Sequence, residues 1–289
     1  MSLSAANPQM STAFDIRWPE GGAGALATPL VFASPHSGRL YPEDMNPALD
    51  SLRIRRSEDA RVDDLIGQAP TFGAPVICAL TARAYLDVNR DPAELDPQLF
   101  IGALPAEASA LSPRVAAGLG VVARVASGGA EIYDRRLSLE EGLSRISRLH
   151  GPYHDALARL LARARAAHGF AVLIDWHSMP QSAAPGVDFV LGDRFGGACS
   201  PALTALVERL LGEAGYRTAR NAPFAGGYTT EHYGRPDRRT HALQIEINRG
   251  LYLDEARLET TAGFGRLRAT LGQVIARLAE TDWHLLLKG

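Results

Sequence analysis

Residues 171–180 read AVLIDWHSMP, and this stretch decides how the chain folds. Ala171, Val172, Leu173 and Ile174 form an unbroken apolar run between Gly169 and Pro180. Such a run predicts a strand buried on both faces. The run ends in Asp175, Trp176, His177 and Ser178. Side chains alternate along a strand, so Asp175 and His177 point to the same side. The C-terminal ends of strands are where open α/β sheets place ligands and chemistry. A hydrogen-bonded structural histidine is the plainer reading of this stretch alone, because single short motifs are weak signals.

The whole chain narrows the classes. Its 289 residues suit one large domain or two small ones. Apolar residues at 46% and charged residues at 21% are ordinary for a soluble globular protein. A net charge of −2 gives no electrostatic case for nucleic acid or an acidic membrane as partner. No apolar run reaches the roughly 18 residues needed to span a bilayer. The N-terminus has no basic start followed by an apolar core, so it does not read as a secretory signal. Cys78 and Cys199 are too few for a disulfide framework or a cysteine-based zinc site. The expectation is a cytoplasmic protein without structural disulfides.

Outward from the central strand, similar runs recur. Residues 29–34 (PLVFAS) predict a second buried strand, which leads into Pro35, His36, Ser37 and Gly38. Residues 75–80, 84–88, 187–191 and 242–247 predict four more. The periodicity predicts helices over 53–69, over 138–168 with a break at Gly151-Pro152, over 201–214 and over 255–280. Within the first helix Ser57 reads as an N-cap, and Glu58 and Asp59 read as first-turn acids serving the helix dipole. Residues 224–236 (FAGGYTTEHYGRP) read as a long functional loop. Residues 1–14 are expected to be loose. Strands alternating with helices imply one α/β domain over 15–289, with a mostly parallel or mixed sheet covered on both faces.

Four predicted strand exits carry polar residues: His36, Asn89-Arg90, Asp175 with His177, and Glu246. Two imidazoles and a carboxylate are a common zinc ligand set that leaves one position open. A further glutamate can move protons, and an arginine can hold an anionic substrate. Asp175, on the same strand face as His177, can orient that imidazole. Each residue also has a plainer role. His36 can pack locally in its turn, Arg90 can pair with Asp87, Asp91 or Glu94, and Glu246 can sit in a buried ion pair.

Six segments together resemble the N-formylglutamate amidohydrolases: SPHSG at 34–38, SEDARVDDL at 57–65, DVNRDP at 87–92, DWHSMP at 175–180, PFAGGYTTEHYG at 223–234 and EINRGLY at 246–252. The resemblance spans about residues 29–252. It implies a three-layer α/β/α sandwich similar to that of the zinc carboxypeptidases. It also implies zinc on His36, on an acid of the 57–65 segment and on His177. Asp59 stands four residues before Asp63, the family spacing, and is chosen over Glu58 on that ground. Arg39 stands three residues after His36, so the compact His-x-x-Glu ligand pair of the carboxypeptidases is absent. Glu246 matches the catalytic glutamate, and Asn89-Arg90 matches the pair that grips a substrate carboxylate. Tyr228 and Arg235 belong to the loop expected to cover the substrate. For a second carboxylate, Arg135, Arg136, Arg235 and Arg249 all stay open.

The activity implied is removal of formate from N-formyl-L-glutamate, giving L-glutamate, in histidine breakdown. A deacylase acting on another N-acyl acidic amino acid is a variant of that reading. A non-catalytic binder keeping the fold is the other class. His36, His177 and Glu246 together argue against it, since a binder needs no base beside a metal.

Overall fold

The computed structural model describes residues 13–22 and 26–287. Its strands are, in chain order, β1 (Phe14–Arg17), β2 (Leu30–Ser34), β3 (Val76–Ala79), β4 (Phe100–Ile101), β5 (Leu137–Ser138), β6 (Ala171–Met179), β7 (Phe189–Gly192), β8 (Thr218–Arg220), β9 (Thr240–Asn248), β10 (Leu253–Asp254) and β11 (Glu259–Thr260). Seven of them make one sheet in the order β1-β3-β2-β6-β9-β7-β8. The centre, β3-β2-β6-β9, is parallel throughout. β1 and β7 join it antiparallel, so the sheet is mixed.

β6 and β9 are buried along their whole length. Alternation divides β6 between two cores. Val172, Ile174 and Trp176 face helices Pro201–Glu213 and Gly263–Ala279. Ala171 and Leu173 face helix Gly151–His168 and the irregular chain of residues 84–137. The result is a three-layer α/β/α sandwich. Helix Gly263–Ala279 shows why the layers hold: Leu267, Leu271, Val274, Ile275 and Leu278 recur at helical spacing and are all buried. Burying one such side chain contributes about 1.5 to 3 kcal/mol. Among the described residues, no helix is long and apolar enough to cross a membrane.

The structure corrects several expected elements. Residues 84–88 are not a strand. The Tyr85 and Leu86 amides close a turn on the Ala82 carbonyl, and both side chains are buried. A short apolar run marks burial, and here the burial lies outside the sheet. Residues 53–69 are not one helix. Helices Ser51–Arg55 and Val62–Leu65 flank a stretch in which the Asp59 amide donates to the His36 carbonyl at 3.0 Å. Arg61, at φ +67°, turns the chain into the second helix. Ser57 caps nothing there, and its Oγ accepts from the Ser127 amide. The break at Gly151 is a π-turn over Ile146–His150 that continues into helix Gly151–His168. The last long helix begins at Gly263, not at 255.

Two strands of the seven-stranded sheet went unread. Thr218–Arg220 is a three-residue edge strand, too short for a period. Phe14–Arg17 alternates apolar and charged, and it pairs with β3. Phe14 therefore lies in the sheet, although the loose stretch was expected to reach it. The rest of that stretch, up to residue 12, lies outside the described residues.

Candidate active site

The parallel centre of the sheet brings its polar ends together. His36 follows β2 through a turn packed against the exit of β3. A Cβ on Gly38 would stand 2.4 Å from the Thr81 carbonyl oxygen, so only glycine permits that approach. β6 supplies Asp175 and His177. The register sets Glu246 of β9 directly beside His177, on the same face.

Three side chains converge. His36 Nδ1 and His177 Nδ1 are 3.0 Å apart. Asp59 Oδ2 lies 3.0 Å from His177 Nδ1 and 3.3 Å from His36 Nδ1. All three residues are buried. Each is fixed from behind. His36 Nε2 donates to Asp87 Oδ1 at 2.7 Å, and Arg83 Nη2 donates to Asp87 Oδ2 at 2.7 Å. The other Asp59 oxygen accepts from Arg249 Nη2 at 3.0 Å and from Ser178 Oγ at 3.3 Å. His177 Nε2 lies 3.0 Å from Asp175 Oδ2 and 3.1 Å from Asn89 Nδ2. Neither Asp175 oxygen accepts a well-aligned hydrogen bond, so its hold on His177 is chiefly one of charge.

This donor set fits a divalent metal. The His36 Nε2 proton is taken up by Asp87, which leaves Nδ1 with its lone pair. His177 Nε2 faces the Asn89 amide nitrogen and the Asp175 carboxylate, the Asn89 oxygen being taken by the Thr229 amide. With its proton on Nε2, toward Asp175, the ring would present Nδ1 to a metal. Two imidazole nitrogens and a carboxylate oxygen, all within 4.8 Å of one another, are a common ligand set for zinc. The electrostatics agree. Burial opposes charge on Asp59, but His177 and His36 hold its carboxyl well below the usual range. Burial likewise opposes, and Asp175 and Asp59 outweigh it, in raising His177 well above an ordinary histidine.

A cavity of about 660 Å³ opens over this cluster. His36, Asp59, His177, Glu246, Asn89 and Arg90 all line it. Burial is the main reason that the Glu246 carboxyl is pushed up to about 7, with charge on His177 pulling the other way. Gln244 Nε2 donates to Glu246 Oε1 at 2.8 Å, and Gln244 is itself oriented by the Gly227 amide at 2.7 Å. Arg90 donates to the carbonyls of Leu119 and Asn89. An ion pair with Asp87, Asp91 or Glu94, its plainer role, does not form among the described residues.

Other expected contributors are placed elsewhere. Arg135 makes a two-pronged contact with Glu141 at 2.9 and 3.1 Å, outside the cavity. Glu141 is the acid of a capping box at Ser138, so Arg135 supports a helix start. Arg136 donates to the Pro97 carbonyl at 2.8 Å. Tyr228 stacks on His232 at 5.0 Å and does not line the cavity. Arg235 donates to the Gly234 and Glu231 carbonyls. Both residues follow the part of the loop that reaches the site, because residues 228–233 form a short helix that carries them away. Arg249 lines the cavity but is committed to Asp59 and Ser178. Asp87, Arg83, Gln244 and Arg194 also belong to the site, and sequence reasoning missed them. Asp87 was legible inside DVNRDP, and Arg83 stands four residues before it.

The sandwich, with this site at its strand ends, fits an α/β amidohydrolase. The chain belongs to the N-formylglutamate amidohydrolase family, whose model matches residues 28–253. It is 32% identical over 237 residues to the N-formylglutamate deformylase of Pseudomonas aeruginosa, covering 78% of this chain and 83% of that one. The N-formylglutamate deformylase of Pseudomonas putida is also 32% identical, with 78% and 82% covered. The crystal structure of the N-formylglutamate amidohydrolase from Ralstonia eutropha JMP134 superposes with a TM-score of 0.88 at 37% identity, covering 93% of this chain and 98% of that one.

Proposed function

We propose that this chain hydrolyses N-formyl-L-glutamate to L-glutamate and formate, with one zinc ion held by His36, Asp59 and His177. The observation that carries the reading is the placement of Glu246 beside His177, in one cavity with Arg90. The names of the relatives supply the substrate. The same reading puts the reaction in histidine breakdown, in the cytoplasm.

When bound, zinc supplies Lewis acidity, which polarises a carbonyl and makes water easier to deprotonate. The chain's own residues do the rest. Glu246 accepts a proton from water as the water oxygen attacks the formyl carbon. It then gives that proton to the amide nitrogen as the carbon–nitrogen bond breaks. A carboxyl raised by burial suits both steps, because the best acid–base catalyst has a pKa near the working pH. Asp87, Asp175 and Arg249 hold the three donor side chains in place. The metal-loaded protein is expected to release formate and glutamate in equal amounts from N-formyl-L-glutamate. No formate from a fully loaded protein overturns the reading. N-acetyl-glutamate and N-formyl-aspartate in the same assay test the other acyl groups and the shorter acid.

Arg90 carries the first mutational prediction. Among the described residues its guanidinium makes no ion pair, and it donates only to carbonyls at the cavity wall, so it can receive a substrate carboxylate. A charge-assisted hydrogen bond contributes about 1.5 to 3 kcal/mol. Arg90→Ala is therefore expected to lower kcat/KM by roughly tenfold to a hundredfold. Wild-type kinetics in this variant would make Arg90 purely structural.

A further inference from the structure

The proposed substrate carries two carboxylates, and Arg90 accounts for one. We infer that Arg194 binds the other, the side-chain carboxylate, and so sets the preference for glutamate. This assignment rests on the reading above.

The cavity holds six arginines, and four are unsuited. Arg83 is taken by Asp87, and Arg249 is taken by Asp59. Arg56 is exposed and reaches out to the Ala256 carbonyl. Arg114 stands 4.0 Å from the buried Glu94, in the turn that also carries Leu119, on the Arg90 side. Arg194 differs. Its carboxylate partner is Glu231 at 2.9 Å, whose side chain is 55% exposed. Surface pairs of that kind contribute little, and a substrate carboxylate can displace Glu231.

The backbone at Arg194 is held in an unusual conformation. Arg194 and Phe195 both have φ +56°, and Asn221, facing them, has φ +60°. Such conformations cost free energy in residues with a Cβ, and they persist where the surroundings enforce them. Here the surroundings are specific. Asn221 Oδ1 accepts from the Asp193 and Phe195 amides, and Asn221 Nδ2 donates to Asp193 Oδ1 at 2.8 Å. Asp193 Oδ2 accepts from Thr204 Oγ1 at 2.9 Å. The Arg194 amide donates to the Ala225 carbonyl at 2.8 Å, tying it to the wall made by residues 223–227. The stem of Arg194 runs over Gly226, where a Cβ would stand 3.2 Å from Arg194 Cδ.

The sheet order then assigns the two carboxylates. Arg90 follows β3 and Arg194 follows β7, with β2, β6 and β9 between them. The α-carboxylate is one carbon from the amide nitrogen and must sit near the donor cluster. Arg90 is next to Asn89, which touches His177. Arg194 contacts none of the three donors and takes the farther carboxylate, with Pro223 and Phe224 beside the methylenes.

The test compares N-formyl-L-glutamate with N-formyl-L-glutamine, which has the same shape without the side-chain charge. In zinc-loaded Arg194→Gln, kcat/KM on formylglutamate is expected to fall about tenfold to a hundredfold, mostly in KM, as for a lost charge-assisted contact. Turnover of formylglutamine should fall much less, and zinc content and circular dichroism should stay unchanged. Arg194→Lys should recover part of the loss. An equal fall on both substrates makes Arg194 structural and overturns the assignment, and so does an unchanged preference. Failure of wild type to release formate from formylglutamate would instead sink the proposed function itself.

Discussion

Glu246→Gln is expected to turn over about 10² to 10⁴ times more slowly than wild type while still binding zinc and substrate. The substitution is a clean probe here because the local contacts survive it. Gln244 Nε2 donates to Glu246 Oε1, and an amide oxygen at that position still accepts. The side chain stays buried between Ile245 and Ile247, both of which pack into the core away from the cavity. What is lost is the charge and the capacity to carry a proton. Two competing roles predict different outcomes. As a metal ligand, Glu246 would take the zinc with it when replaced, in a protein of normal fold. As a buried ion-pair partner alone, it would leave turnover near normal. Single-turnover kinetics together with metal analysis separate all three.

Much of this was legible in the sequence, for a physical reason. A strand buried on both faces must be apolar, so the polar residues ending such a run stand out. That signal located His36, His177 and Glu246, and the alternation along β6 placed Asp175 behind His177. The signal failed where chemistry sits off the sheet. Asp59 lies in irregular chain held by a single backbone hydrogen bond to His36, and the local pattern of acids and leucines imitated a helix. The family spacing, not the periodicity, found it. Arg194 and Gln244 were invisible for different reasons. Arg194 sits in a turn whose left-handed backbone no local motif announces, and its position is set by Asn221, more than twenty residues on. Gln244 shares a strand face with Glu246, but an amide in a strand has many satisfied structural roles. Tyr228 and Arg235 were expected at the site as part of the covering loop, and Arg135 as a possible second cation. A capping box and a short helix direct them elsewhere.

His177→Ala is expected to lose nearly all bound zinc, and with it nearly all activity. The three donors form a minimal set, and removing one leaves an imidazole and a carboxylate, too few for a closed tetrahedral site. The variant also leaves Asp175 buried beside an empty space, and stranding a buried charge costs several kcal/mol. Loss of metal could then follow from loss of fold, so His177→Asn serves as a second variant. It keeps a polar side chain near Asp175 while withdrawing the ring nitrogen from the other donors. Circular dichroism should report a native fold for His177→Asn, with zinc per chain near zero. A thermal measurement gives a readout independent of turnover. A ligand that binds only the folded state stabilises it by about 2.7 kcal/mol at a hundredfold excess over Kd. In a chain of this size, that raises Tm by roughly 4 to 5 °C. Wild type should show this rise on adding zinc, and both variants should not. Full zinc content in a folded His177 variant, with the wild-type rise in Tm, would remove His177 from the coordination set. The metal centre would then have to be built around His36 and Asp59 with some other partner.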